Sequence, residues 1–380
     1  METGQRVTVN LSIGEYVMRK LEKITIKNFK SIRDQTLELN SLNVLIGANG
    51  SGKSNLIEVF RFLHEAINQN LAGYTAKKGG ADNLLHMGRK NSPDMKIKVE
   101  FGEGDKSNAY ELKVFGTDEN DLYISSETAF YHERKEYQRP YEHRISAGSH
   151  ESRLKGDSHI SAHQIAADIS KYRIYHFHDT SETASVKKSC HVEDCSFLRP
   201  QAENLAAFLN WMQKKHPVHF ANVQDIIAQV APFFDEFDLK PSRLNSDQIF
   251  LEWKERGCDA YFNATSLSDG SLRFICLATL LMQPDIPPLV LLDEPELGLH
   301  PAAVKLLANM LINASVRTQV IVATQSTTLV NNFDTEHLWT VEREDNASAF
   351  RHLNKNDTKE WIGEYALGDL WDKNLLGARP

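Results

Sequence analysis

Residues Gly47-Ala48-Asn49-Gly50-Ser51-Gly52-Lys53-Ser54 spell G-x-x-x-x-G-K-S, a spacing that suits one chemistry above others. Glycines at 47, 50 and 52 let consecutive backbone N–H groups turn inward on a phosphate chain. Lys53 reaches the β and γ oxygens, and the Ser54 hydroxyl is placed to ligate Mg²⁺. Asn49, Ser51 and Asn55 complete the set of candidate nucleotide contacts. The bland alternative is a Gly-rich turn, and the flanking elements argue against it. The mostly apolar run Leu42 to Ile46 reads as a strand. Ser54 to Ala66 reads as a helix with Leu56, Val59, Phe60 and Leu63 on one stripe, its N-terminus facing the anion. The expected ligands are therefore ATP and Mg²⁺.

A second segment supplies carboxylates. Pro288-Leu289-Val290-Leu291-Leu292-Asp293-Glu294-Pro295 is an apolar strand ending in adjacent acids, the pattern of a central parallel strand buried on both faces. Asp293 is the candidate Mg²⁺ ligand opposite Ser54, and Glu294 is placed to polarise the attacking water. Upstream, Leu267-Ser268-Asp269-Gly270-Ser271 opens an apolar helix, Leu272 to Met282. On its own it reads as an ordinary N-cap. Beside the other two motifs, Ser268, Asp269 and Gly270 become candidate contacts to a γ-phosphate at a helix N-terminus.

These motifs need a scaffold, and the composition allows one. At 380 residues, 41% hydrophobic and 25% charged, the chain can bury a large α/β core. Its formal charge of −8 gives no global basic field for nucleic acid. Four cysteines, no N-terminal apolar signal region and no membrane-length apolar run point to a cytoplasmic protein. Residues 1–18 are expected to be a dispensable extension, with Met18 as an alternative start. Leu21, Ile24, Ile26 and Phe29, then Leu37 and Leu39, predict an antiparallel pair before the phosphate loop. Strand-like runs follow at Lys96–Phe101, Ala109–Phe115 and Leu122–Tyr131, after a Gly/Lys-rich loop, Gly73 to Lys90. His132 to His159 is polar without apolar periodicity and reads as a loop. Ala162–Ser170, Ala202–Met212 and Val223–Phe234 read as helices; Tyr172–Phe177, Gln248–Trp253 and Ala260–Asn263 read as strands.

Together the motifs resemble the ABC-type ATPase heads of the RecF/SMC/OLD group. Asn28-Phe29-Lys30-Ser31 and Asn43–Ser54 match the start of that group, Leu267–Ser271 its signature loop, and Asp293-Glu294-Pro295-Glu296-Leu297-Gly298-Leu299-His300-Pro301 its Walker B and D-loop. The resemblance implies an α/β P-loop NTPase with a mixed core sheet, an antiparallel β subdomain and a helical signature subdomain. Residues 19–380 would form a single head, divided into 19–180, 181–275, 276–345 and a tail at 346–380. It also implies a homodimer on ATP binding, or a higher oligomer, in which the signature of one copy completes the ATP site of the other.

The chain departs from the group in three places. Thr324-Gln325-Ser326 stands where many relatives place a histidine. Gln325 can hydrogen-bond phosphate or water but cannot carry a proton, so turnover is expected to be slow, with Gln325 a sensor. No glutamine falls near Tyr175–Asp179, where relatives contact Mg²⁺; His178 or Asp179 is the candidate substitute. No coiled-arm heptad run is visible, and the length after the switch strand leads to the expectation that no Toprim nuclease domain is carried.

Three weaker features complete the reading. Cys190-His191-Val192-Glu193-Asp194-Cys195 matches no strong zinc spacing. Basic doublets at Lys77-Lys78, Arg89-Lys90, Lys187-Lys188 and Lys214-Lys215, with Arg134 and Lys135, read either as solvated faces or as a DNA-facing surface. The aromatic stretch Trp361 to Trp371 reads as a tail packed on the core, with partner docking as the alternative. The leading expectation is an ATP-driven dimerisation switch in DNA repair or defence against foreign DNA, working with a separate effector such as a nuclease and without a membrane. The competing expectation is an ATP-bound scaffold that restrains a partner; a transporter cassette comes third.

Overall fold

The structure, a computed structural model, describes residues 19–361 and 364–379. The expected extension at 1–18 lies outside them, as do Ile362 and Gly363 of the aromatic tail. The chain runs β1 (Lys20–Phe29), β2 (Ile32–Glu38), β3 (Leu42–Ile46), α1 (Lys53–Ile67), α2 (Leu71–Lys77), β4 (Asp94–Glu103), β5 (Lys106–Gly116), β6 (Leu122–Glu133), β7 (Tyr141–Ser146), α3 (Ile160–Ser170) and β8 (Arg173–Tyr175). It continues through β9 (Cys190–His191), α4 (Leu205–Lys215), α5 (Pro217–Val230), β10 (Phe234–Asp238), β11 (Gln248–Ile249), β12 (Glu252–Glu255), β13 (Tyr261–Asn263) and α6 (Asp269–Met282). The last part holds β14 (Leu289–Asp293), α7 (Pro301–Ser315), β15 (Gln319–Thr324), α8 (Thr327–Val330), β16 (Leu338–Glu344), β17 (Ala347–His352), α9 (Lys355–Thr358) and α10 (Leu367–Asp372).

The site rests on a mixed six-stranded sheet ordered β17-β16-β3-β15-β14-β8. Its strands are parallel except β17, which runs antiparallel to β16. Both faces are buried, which is why β3, β14 and β15 read as nearly unbroken apolar runs. Val44, Leu292 and Val322 pack on one face against α4 to α7, while Leu45, Leu291 and Ile321 pack on the other with α1. A second six-stranded sheet, β2-β1-β4-β5-β6-β7, is antiparallel throughout and covers α1 from outside. Gln319 ties the two sheets, its amide donating to the Leu21 and Asn40 carbonyls at 2.9 Å each. A three-stranded sheet, β10-β12-β13, sits with α4, α5 and α6.

Three sequence expectations need correction. His132 to His159 is not a plain loop: β7 pairs with β6 from Glu127 to Tyr131, and its polar edge-strand sequence, with only Ser146 buried, explains the missing apolar rhythm. Gly73 to Lys90 begins inside a helix, α2, whose buried Leu71 and Tyr74 flank the glycine. The helix expected over Val223–Phe234 ends at Val230, and Phe234 starts β10. Within 346–380, β17 belongs to the core sheet. The C-terminal segment packs back on the molecule: Trp371 is fully buried, and its indole donates to the Ala378 carbonyl.

Candidate active site

In register, Ile46 lies opposite Thr324, and Ala323 lies opposite Asp293. Three strand ends therefore stop at one level, and their outgoing segments converge: the phosphate loop from β3, Glu294 from β14, Gln325 from β15. Ligand groups gather at such a carboxyl edge of parallel strands.

The 47–54 loop is fixed by contacts of its own and from behind. Lys53 Nζ donates to the Gly47 carbonyl at 2.5 Å and the Ala48 carbonyl at 3.0 Å. Burial pushes the Lys53 ammonium below its ordinary value, with Glu294, Asp293 and Glu296 opposing. Gly52 adopts φ 112°, and a Cβ there would lie 2.0 Å from Ser348 Oγ and 2.7 Å from Ser31 Oγ. Those two hydroxyls are 2.6 Å apart, and Ser348 also donates to the Ser51 carbonyl, so the loop is braced from behind by β17 and the β1–β2 turn. Ser51 Oγ is buried with no hydrogen-bond partner among the described residues. Asn55 is occupied on this outer side, donating to Ser31 Oγ at 2.7 Å.

Three carboxylates crowd the end of β14. Asp293 is pushed above the ordinary aspartate value by burial and by Glu294, while a hydrogen bond from Ser54 and the charges of His178 and Lys53 pull the other way. Glu296 is raised chiefly by burial; one oxygen accepts from Thr324, and the other is buried without a partner among the described residues. Glu294 is a non-glycine residue at φ 43°, held there as its N–H donates to the Ala323 carbonyl at 2.8 Å. Such strain is kept where the surroundings fix it, often at functional sites. Gln325 Nε2 donates to Glu294 Oε1 and to Asn49 Oδ1, the latter at 2.6 Å, linking strand end, carboxylate and phosphate loop.

Of the two candidate substitutes for the missing glutamine, His178 lies at the site, its Nε2 2.7 Å from the Asp293 carbonyl oxygen. Asp179 instead accepts from Ser181, at 2.7 and 3.1 Å. The oxygens of Ser54 and Asp293, hydrogen-bonded to each other beside surplus negative charge, fit a hard divalent cation. Mg²⁺ held there would neutralise phosphate charge.

The signature segment stands apart. Ser268 caps α6, accepting from Ser271 N–H at 3.1 Å; Asp269 is exposed, 3.7 Å from Lys187; a Cβ on Gly270 would lie 2.6 Å from the Gly298 carbonyl. No hydrogen bond or ion pair among the described residues joins Ser268, Asp269 or Gly270 to the phosphate loop. Sequence reasoning missed Arg273, one turn into α6. Its buried guanidinium donates to the Phe177 carbonyl at 2.8 Å, the His178 carbonyl at 3.1 Å and the Leu297 carbonyl. It thus joins the signature helix to the His178 segment and to the turn after Glu294. An arginine inside an apolar helix stripe was the available signal.

This fold is that of an ABC-type ATPase head of the SMC/RecF group. The chain belongs to the family described as "AAA domain, putative AbiEii toxin, Type IV TA system", whose model matches residues 42–331. The Smc head bound to the C-winged helix domain of ScpA superposes with a TM-score of 0.61 and 18% identity, covering 90% of this chain and 99% of that one. An Smc head with an extended coiled coil, bound to the C-terminal domain of ScpA derived from Pyrococcus furiosus, gives 0.62 and 17%, covering 91% and 99%. Structural maintenance of chromosomes protein 3 of Saccharomyces cerevisiae is 33% identical over 91 residues, 23% of this chain but only 7% of that protein. No helix among the described residues is long and apolar enough to cross a membrane.

Proposed function

We propose that the chain binds Mg²⁺-ATP at the 47–55 loop, hydrolyses it slowly, and uses it to close two copies of itself. Lys53 binds the phosphate oxygens, Ser54 and Asp293 would hold Mg²⁺, which would neutralise phosphate charge, and Glu294 accepts a proton from the attacking water. Gln325, already on Glu294 and Asn49, senses whether phosphate is present. The single observation carrying this reading is the convergence of Lys53, Asp293, Glu294 and Gln325 at one level of the core sheet. The separation of Ser268–Gly270 from the chain's own loop supports completion by a second copy. A role in defence accords with the toxin–antitoxin family description; that it is DNA-related, in repair or against foreign DNA with a separate effector, rests on the resemblance to the RecF/SMC/OLD group. The Smc heads named above are bound to a partner's domain, which supports an effector docked on this head.

A second reading, an ATP-bound scaffold restraining a partner, is favoured by Gln325 sitting on Glu294, where a carboxamide cannot relay protons. Steady-state ATP turnover with and without duplex DNA separates them, with Lys53→Ala as blank. Slow turnover lost in Glu294→Gln supports the switch. Retained ATP with no turnover in either condition supports the scaffold.

A further inference from the structure

A second concavity, of about 650 Å³, opens between the C-terminal half of α1, strand β8 and the 197–201 segment. No residue of the 47–54 loop lines it. Its charge is nearly one-signed: Arg61, Lys77, Arg173 and Arg199, with His64 and His176 between them, face one lining carboxylate, Glu65. Two of these cations are already matched, Arg61 by Glu58 at 3.3 Å and Arg199 by Asp194 at 2.7 Å. The other two are not. Arg173 donates to the Ser170 and Tyr172 carbonyls at 2.5 and 3.0 Å, and no ion pair to Arg173 or Lys77 occurs among the described residues.

An aromatic face stands beside this charge. The Arg173 guanidinium lies 4.8 Å from the centroid of Phe197, and Arg199 lies 5.9 Å from it, yet the residue stays 39% exposed. His64 Nδ1 is buried without a hydrogen-bond partner among the described residues. Both histidines register the positive surroundings. Burial and then Arg173 hold His64 below its usual value; burial and then Arg61 push His176 down to about 4. His176 Nε2 is already engaged by the Arg61 guanidinium, so the cleft's charge for a ligand rests on its arginines and Lys77.

Uncompensated cations, a part-exposed ring beside them and a cavity bounded by α1, β8 and the 197–201 segment suit one compact unit carrying phosphate and an aromatic ring. We propose that this cleft is a second ligand site, for a small free nucleotide whose phosphate is taken by Arg173 and Lys77 and whose base lies against Phe197. The cleft shares α1 with the phosphate loop, and His176 with the segment that places His178 on Asp293, so occupancy sits two residues from the ATP site.

The test is calorimetric binding of AMP and of pyrophosphate to the full chain carrying Lys53→Ala, which disables the phosphate loop. One AMP per chain is expected, with affinity reduced about tenfold or more by Arg173→Gln and by Lys77→Glu. Phe197→Ala should weaken AMP and leave pyrophosphate unchanged. Lys77 is exposed, so Lys77→Glu carries the test if Arg173→Gln misfolds. Absence of AMP binding in the Lys53→Ala protein, or binding indifferent to Lys77→Glu, overturns the site. A single-stranded oligonucleotide that binds tighter than AMP with the same sensitivities overturns the free-nucleotide assignment.

Discussion

Asp293, Glu294 and Glu296 place three acids within four residues, and the raised values of Asp293 and Glu296 mean that the folded chain holds their protons more tightly than the unfolded chain does. Their contribution to stability is therefore present below the unfolded values of about 4 and is lost as pH rises through the higher folded ones. At neutral pH the ligand-free protein carries that cost. Asp293→Asn is expected to raise the melting temperature of the ligand-free protein while lowering ATP turnover by about 100-fold or more. Calorimetry and a phosphate-release assay read the two effects. Mg²⁺-dependent ATP binding should weaken on acidification at a pH above the ordinary aspartate value, as Asp293 protonates. Gln325→Ala should cut turnover about 10- to 100-fold with ATP affinity kept; unchanged turnover would remove Gln325 from the chemistry. Among single residues, the groups that converge at the strand ends were legible, because each stands in a short continuous motif with fixed spacing. The Gln325–Glu294–Asn49 link was not, since it joins three strand ends distant in sequence.

The elements matter as holders of these groups. Strands buried on both faces were plain from their apolar runs, as was α1 from its stripe. β7 escaped because an edge strand with a polar sequence has no apolar rhythm, and α2 because glycines at 73, 79 and 80 suggest a loop. The brace behind the phosphate loop was equally hidden, since Ser31 and Ser348 are 317 positions apart. Gly52→Ala meets that brace and a φ of 112° together. It should cost about 1–3 kcal/mol in unfolding free energy and abolish ATP binding. Arg273 links α6 to two neighbouring segments through backbone carbonyls. Arg273→Ala should destabilise the protein by about 2–4 kcal/mol, seen in denaturant titration, and lower turnover more than ATP affinity.

Over the whole molecule, the core sheet is assembled from distant stretches: β8, β3 and β17 come from the middle, start and end of the described chain. The last segment closes over this sheet. Trp371 is fully buried, Glu342 accepts from the Ala378 N–H, and Gly368 N–H donates to Asn331 Oδ1 at 2.6 Å beside α8, the helix just beyond Gln325. Trp371→Ala should cost about 3–5 kcal/mol and, by loosening α8, reduce turnover as well. ATP-driven closure of two heads, each signature segment completing the other's site, is best tested by light scattering of Glu294→Gln with and without Mg²⁺-ATP, beside Ser268→Arg in the same background. Adding ATP should shift the mass from the 43.1 kDa of one chain to twice that value, and Ser268→Arg should abolish the shift although ATP still binds. A mass that stays at one chain with ATP bound, or a dimer indifferent to Ser268→Arg, would rule out closure through the signature segment.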